Sequence, residues 1–185
     1  EGITNITAKD ILFADQCGYS IKLFGTSKKV DGKIYIMVAP AMITEENPLY
    51  SVNGVYNGIF VKGNVLGDVM FYGSGAGKLP TASAVVSDVV DEVKHIGTNI
   101  LTTWSSKKLE LADIKDSKKR FFVRIKGNCL ERIEEIERLF GKVHTIELAE
   151  IKEEFAFLTE ELSEAEYAKK AEQLSGILNR IRVYH

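Results

Sequence analysis

Hydrophobic and polar positions along the chain change period several times, and each change marks an element. A short apolar run over residues 2–6 reads as a strand, and Thr7 with Asp10 three residues on forms a short-armed capping box. A helix over residues 8–16 follows, stopped near Gly18. YSIKLFGTSKKVDGKIYIMVAPAMI reads as two strands around Asp31-Gly32, a pair that suits a tight hairpin. After an irregular connection from Pro48, two more strands are predicted over 58–62 and 65–72, with a tight turn at Gly63-Asn64. Val86, Val89, Val90 and Val93 then recur at i, i+3, i+4 and i+7, which predicts one apolar helix face against a sheet.

Residues 97–117 are mostly polar and without period, and read as a linker. Beyond them Phe121, Val123 and Ile125 alternate with Phe122, Arg124 and Lys126, as in a strand. Leu130, Ile133, Glu137 and Phe140 track a helix, widened by Ile136 and Leu139 and ended by Gly141. Two strands, KVHTIELAEI and EEFAFLTEEL, lead to a long helix from Ser163 with Tyr167, Ala171, Leu174 and Leu178 on one side. Arg182–Tyr184 closes as a short strand. This order, βαββαβ, is the ferredoxin-like arrangement. The fold class is α+β: a mixed sheet with helices on one face over residues 1–96, a linker over 97–117, and a ferredoxin-like unit over 118–185.

Composition narrows the function classes. The 185 residues are 45% hydrophobic and 27% charged, with a net charge of −2, which offers no electrostatic hold on nucleic acid. No apolar run approaches the roughly 20 residues that span a bilayer, so no membrane partner is expected. Cys17 and Cys129 lie far apart without CxxC spacing and read as reduced core thiols of a cytoplasmic protein. His95, His144 and His185 have no second ligand at metal spacing, so no metal site is expected. The chain begins at Glu1 without an initiator Met and reads as a piece of something longer.

The most distinctive stretch is VMFYGSGAGKLPTAS, residues 69–83. A P-loop needs GxxxxGK[ST], but three residues separate Gly73 from Gly77 and Leu79 follows Lys78. A Rossmann fingerprint needs GxGxxG, but the spacing here is GxGxG. The physics still suits something flat or anionic: Gly73, Gly75 and Gly77 let the backbone approach closely, and a helix start with Pro80 offers free N–H groups. A tight strand-to-helix turn without a ligand is the alternative.

GVYNGIFVKGNVLGDVMFYGSGAGKLPTASAVVSDVVD, with EGITNITAKDILFADQCGYSIKLFG upstream, resembles the signature region of homoserine dehydrogenases. The resemblance runs from Glu1 to about Ile96 and is carried by PLYSVNGVYN, YGSGAG and PTASAV. Residues 118–185 resemble the ACT regulatory domain that ends the longer bacterial members. The resemblance implies interconversion of homoserine and aspartate semialdehyde with NAD or NADP, on the route to threonine, methionine and isoleucine. It implies that Gly73, Gly75 and Gly77 pack against the cofactor, and makes Asn53, Asn57, Thr81 and Ser83 candidates for lining the substrate cleft. The asparagines equally suit turns, and Thr81 and Ser83 equally suit helix capping. Family members carry the dinucleotide domain and the proton-transfer lysine before the counterpart of Glu1, so no catalytic residue and no turnover are expected of this chain alone. Lys22 and Lys78 read as solvated surface lysines.

ACT domains often carry a D-x-P-G-x-L turn where an amino acid binds. IKGNCLERI is shorter and lacks the proline, which leaves Gly127 and Asn128 as candidates for an effector such as threonine, with Asn128 alternatively a helix cap. A homo-oligomer, dimer or tetramer, is expected. The competing reading is a stand-alone amino-acid-sensing or oligomerising module.

Overall fold

The computed structural model describes residues 1–185 apart from Ile100, Thr102 and His185. They divide into two units, Glu1–Glu46 with Leu109–His185, and Asn47–Lys108.

The first unit is built on a sheet with strand order β1-β2-β9-β5-β7-β6, from β1 (Ser20–Val30), β2 (Lys33–Ile43), β5 (Lys118–Lys126), β6 (His144–Leu148), β7 (Ile151–Leu158) and β9 (Ile177–Tyr184). A two-residue strand, β8 (Leu162–Ser163), pairs with the start of β5. Helices α3 (Cys129–Phe140) and α4 (Glu164–Ala171) complete a βαββαβ unit whose strands order 4-1-3-2, the ferredoxin-like topology. On the α3–α4 face Phe121, Val123, Ile125, Phe155 and Phe157 pack with Ile136, Phe140 and Tyr167. Helix α1 (Ala8–Gln16) covers the opposite face, where Phe13 and Ala14 meet Phe122, Ala156, Leu158 and Ile181. Phe121 to Ile125 are therefore all buried. The alternation predicted for this strand is real in direction, but both its faces are covered.

Local signals explain these elements. Thr7 Oγ1 accepts from the Asp10 amide and the Asp10 carboxylate accepts from the Thr7 amide, so α1 starts where its capping box predicts. Asp31 and Gly32 both take positive φ, at 50° and 81°, matching the turn that joins β1 to β2. Three expectations for these elements fail. Residues 2–6 form a turn, with the Ile6 amide donating to the Ile3 carbonyl. The helix from Ser163 ends at Ala171, because Leu174 is drawn into the core and Gly176, at φ 79°, redirects the chain. Leu178 thus lies in β9, which is eight residues long rather than three.

The units also divide the chain elsewhere than at residues 96 and 118. Strand β2 pairs in parallel with β9 through Ala41, Met42 and Ile43, and Leu111 bridges to Ile34. These bonds bring the first 46 residues to the βαββαβ sheet, and only part of the predicted linker remains irregular.

The second unit contains β3 (Tyr56–Lys62) antiparallel to β4 (Asp68–Ser74), then α2 (Lys78–Lys94). The turn between the strands is longer than Gly63-Asn64: the Gly63 amide donates to Gly67 O at 2.8 Å across a five-residue loop. The valine face of α2 was predicted to lie against a sheet, yet Val86, Val89, Val90 and Val93 are all exposed. The spacing encoded the helix correctly, and among the described residues nothing covers its stripe.

Candidate functional site

The glycine loop leaves the end of β4 and enters α2. Register places Gly73 opposite Asn57, and Tyr56 opposite Ser74, with the Tyr56 and Tyr72 rings stacked at 5.0 Å. Gly73, Gly75 and Gly77 are all exposed. A Cβ on Gly73 would meet nothing within 4 Å, so its open side is not filled by protein. A Cβ on Gly75 would fall 2.5 Å from Asn57 Nδ2, so the loop crosses directly over that amide. Gly77 is the N-cap of α2 with φ 117°, a conformation open to glycine and strained for other residues. No side chain caps α2; Thr81 donates its amide to Gly77 O at 3.1 Å. The early amides of a 17-residue helix therefore stand without side-chain partners beside an open glycine strip.

The structure brings Asn57 to Gly73 and Gly75, and places Thr81 one turn beyond Gly77. Thr81 and Ser83 lie within α2 and are exposed, so neither caps it. Asn53 is exposed in the turn before β3, accepts from the Tyr56 amide and donates to Ser51 O. Its turn-forming role is visible in these bonds. Lys78 is exposed as expected, whereas Lys22 is half-buried and burial lowers its ammonium from the ordinary lysine value.

Gly127 and Asn128 border a recess of about 280 Å³ in the first unit, with Glu147, Lys152, Glu154 and Phe155 among its walls. Gly127 takes φ 114° and donates to Glu153 O at 2.8 Å. Asn128 caps α3, its Oδ1 accepting from the Leu130 amide at 2.9 Å. Cys129 beside it is buried and free, and burial raises its thiol above the ordinary value. Cys17 is likewise free, and burial raises its thiol too, which lowers the thiolate share of both. His95 caps the end of α2, with Nδ1 2.8 Å from Asp91 O; His144 opens β6, and His185 lies outside the described residues.

Sequence reasoning missed a buried ionic cluster. Arg124 donates from Nε to Asp10 Oδ1 at 2.7 Å, from Nη2 to Thr7 Oγ1 at 3.1 Å, and from Nη1 to Glu154. Asn179 Nδ2 donates to Asp10 Oδ2 at 2.9 Å, and Lys9 reaches Glu154 at 2.5 Å. Burial pushes the Asp10 carboxyl up, but bonds from Arg124, Thr7 and Asn179 outweigh it and hold it below its ordinary value. The same balance, with Lys9 and Arg124 as donors, lowers Glu154. In the sequence Arg124 only shares a strand face with Phe122 and Lys126, which names no partner for it.

The profile of the homoserine dehydrogenase family matches residues 1–90. A homoserine dehydrogenase of Synechocystis is 41% identical over 136 residues, covering 67% of this chain and 31% of the relative. One from Bacillus subtilis is 41% identical over 96 residues, covering 52% of this chain and 22% of the relative. A crystal structure of a homoserine dehydrogenase from Thiobacillus denitrificans superposes on 100% of this chain and 47% of its own, with TM-score 0.81 and 26% identity. That of Staphylococcus aureus at pH 7.0 does so with TM-score 0.72 and 28% identity, again over 47% of its length. The chain thus spans about a third or less of these curated relatives and just under half of the solved chains. With its glycine loop inside the matched residues, the chain belongs to the homoserine dehydrogenase family.

Proposed function

We propose that this chain is the carboxyl-terminal part of a homoserine dehydrogenase, which interconverts L-homoserine and L-aspartate 4-semialdehyde with NAD or NADP. The observation that carries the reading is the open strip at Gly73, Gly75 and Gly77, which fits a planar ring. Gly73 leaves its side of β4 unobstructed, and a side chain there would occupy the ligand's space. The nicotinamide cofactor supplies the hydride chemistry when bound. The chain's own part is to hold a flat backbone surface against that ligand, with the Asn57 amide beneath Gly75 as a hydrogen-bonding group at its edge. Asn53, Thr81 and Ser83 remain cleft-lining candidates on the same unit. The dinucleotide fold and the proton-transfer lysine belong, by family resemblance, to polypeptide beyond these residues. An assay of the 185-residue chain with homoserine and either cofactor is predicted to show no turnover; clear turnover would overturn this assignment of roles.

By family segment rather than by compact unit, we propose a catalytic remainder over 1–96, a linker over 97–117 and an ACT-like regulatory part over 118–185. The ferredoxin-like topology and the recess at Gly127 and Asn128 support an amino-acid effector such as threonine. That recess holds charges of both signs, Lys152 and Glu147, as a zwitterion requires. A homo-oligomer, dimer or tetramer, is favoured by β1, an eleven-residue strand at the sheet edge. Sedimentation as a monomer would count against it. The stand-alone sensor is not favoured, because relatives named homoserine dehydrogenase align across the glycine loop that a sensor would leave without purpose.

A further inference from the structure

A second recess in the first unit, of about 290 Å³, opens where the far end of the β1–β2 hairpin meets the start of β5 and the end of β9. Its volume sits at the lower end of small-molecule pockets, about 300 Å³. Tyr35, Met37 and Tyr184 give it apolar walls, and Lys28, Lys118 and Lys119 also line it. Lys119 is the informative group. Its Nζ lies 4.4 Å from the centre of the Tyr184 ring, and that ring is fixed by Phe24 edge-on at 5.9 Å.

Lys119 is half-buried, and among the described residues neither it, Lys28 nor Lys118 makes an ion pair. Burial, then the charge of Lys28, lowers its ammonium; Arg182 adds to this, while Glu161 and Glu164 oppose it. Glu164 is already engaged by Arg180 and Arg182, so it does not neutralise Lys119. Three lysines against two carboxylates leave an excess of positive charge around one concave space, and the ring of Tyr184 offsets only about 1 kcal/mol of its cost. An anion in the recess would offset that excess, with Lys28 and Lys119 as its donors. Asp116 and Glu161 line the recess too, and both are exposed. Their charge disfavours extended polyanions and leaves room for a small one.

We infer that this recess binds a small anion, a carboxylate or a phosphate, between Lys28 and Lys119 beside the ring of Tyr184. The site is distinct from the glycine loop and from the recess at Gly127, and does not depend on either reading.

The test is titration of the 185-residue chain with sodium phosphate and separately with sodium malonate, at constant ionic strength, followed by amide chemical shifts. Saturable shifts confined to residues 26–37, 114–119 and 184 are expected with at least one probe; the tighter probe identifies phosphate or carboxylate as the source. K28M and K119M should each weaken that affinity by about tenfold, the worth of one charge-assisted bond. K152M, in the other recess, should leave it unchanged. Unfolding midpoints of the variants check that they fold. Shifts that stay linear in salt and spread over all lysines would overturn the site. So would unchanged affinity in folded K28M and K119M.

Discussion

At the scale of single residues, the glycines separate structural need from functional need. Gly73 sits in β4 without positive φ and with empty space where a Cβ would go. Gly73→Ala should therefore keep or slightly raise stability, by up to about 1 kcal/mol, since glycine is the weaker strand residue. Gly77→Ala should cost about 1–3 kcal/mol because φ 117° is strained for any side chain. Thermal unfolding of the two variants checks the contrast, and equal loss would mean that Gly73 is packed. Asn128 has a comparable separation. Asn128→Ala removes the cap of α3 and should cost about 1 kcal/mol, whereas Asn128→Asp retains a capping oxygen. If the recess takes a threonine-like effector, calorimetry should find its affinity changed in Asn128→Asp, although its unfolding midpoint matches the parent.

At the scale of elements, α1 is held to the sheet by charge as well as by Phe13. Arg124 is 5% exposed and Asp10 is fully buried, so removing the guanidinium leaves a buried carboxylate without its cation and Glu154 with Lys9 alone. Arg124→Met should cost about 3–5 kcal/mol in urea unfolding, a large share of a domain's stability, and adding Asp10→Asn with Glu154→Gln should restore part of it. The pH dependence follows from the same groups. Asp10 and Glu154 are lowered in the folded state from ordinary values of 3.8 and 4.5. Their contribution is complete above those values and is lost as pH falls through the lower folded ones. Urea midpoints measured downward through pH 4.5 should fall, with a shallower slope in Glu154→Gln; an identical slope would remove Glu154 from the account. Elements were largely legible because their signals are local. Thr7, Asp10, Asp31-Gly32 and Gly141 each act within one turn. The length of α4 was not, because Leu174 and Leu178 keep helical spacing while one serves a turn and the other a strand.

At the scale of the whole molecule, legibility failed where partners are distant in sequence. Nothing local in residues 34–43 tells that they pair with Arg182–Tyr184 and Leu111, or that Arg124 waits for a carboxylate 114 positions away. The valine stripe of α2 shows the same limit from the other side: its period is plain, and what covers it is not encoded in its own spacing. At the glycine loop the residues alone left a ligand-free turn and a close-approach surface open, and the structure adds that Gly73 faces open space. The central claim is that this surface seats a nicotinamide in the intact homoserine dehydrogenase. It is tested most directly by homoserine-dependent reduction of NAD or NADP in the full-length enzyme, with Gly73→Val against the parent. The account predicts an unchanged unfolding midpoint with the cofactor KM raised at least about tenfold, some 1.4 kcal/mol of lost binding. A folded variant with the parent's cofactor KM and kcat would contradict it.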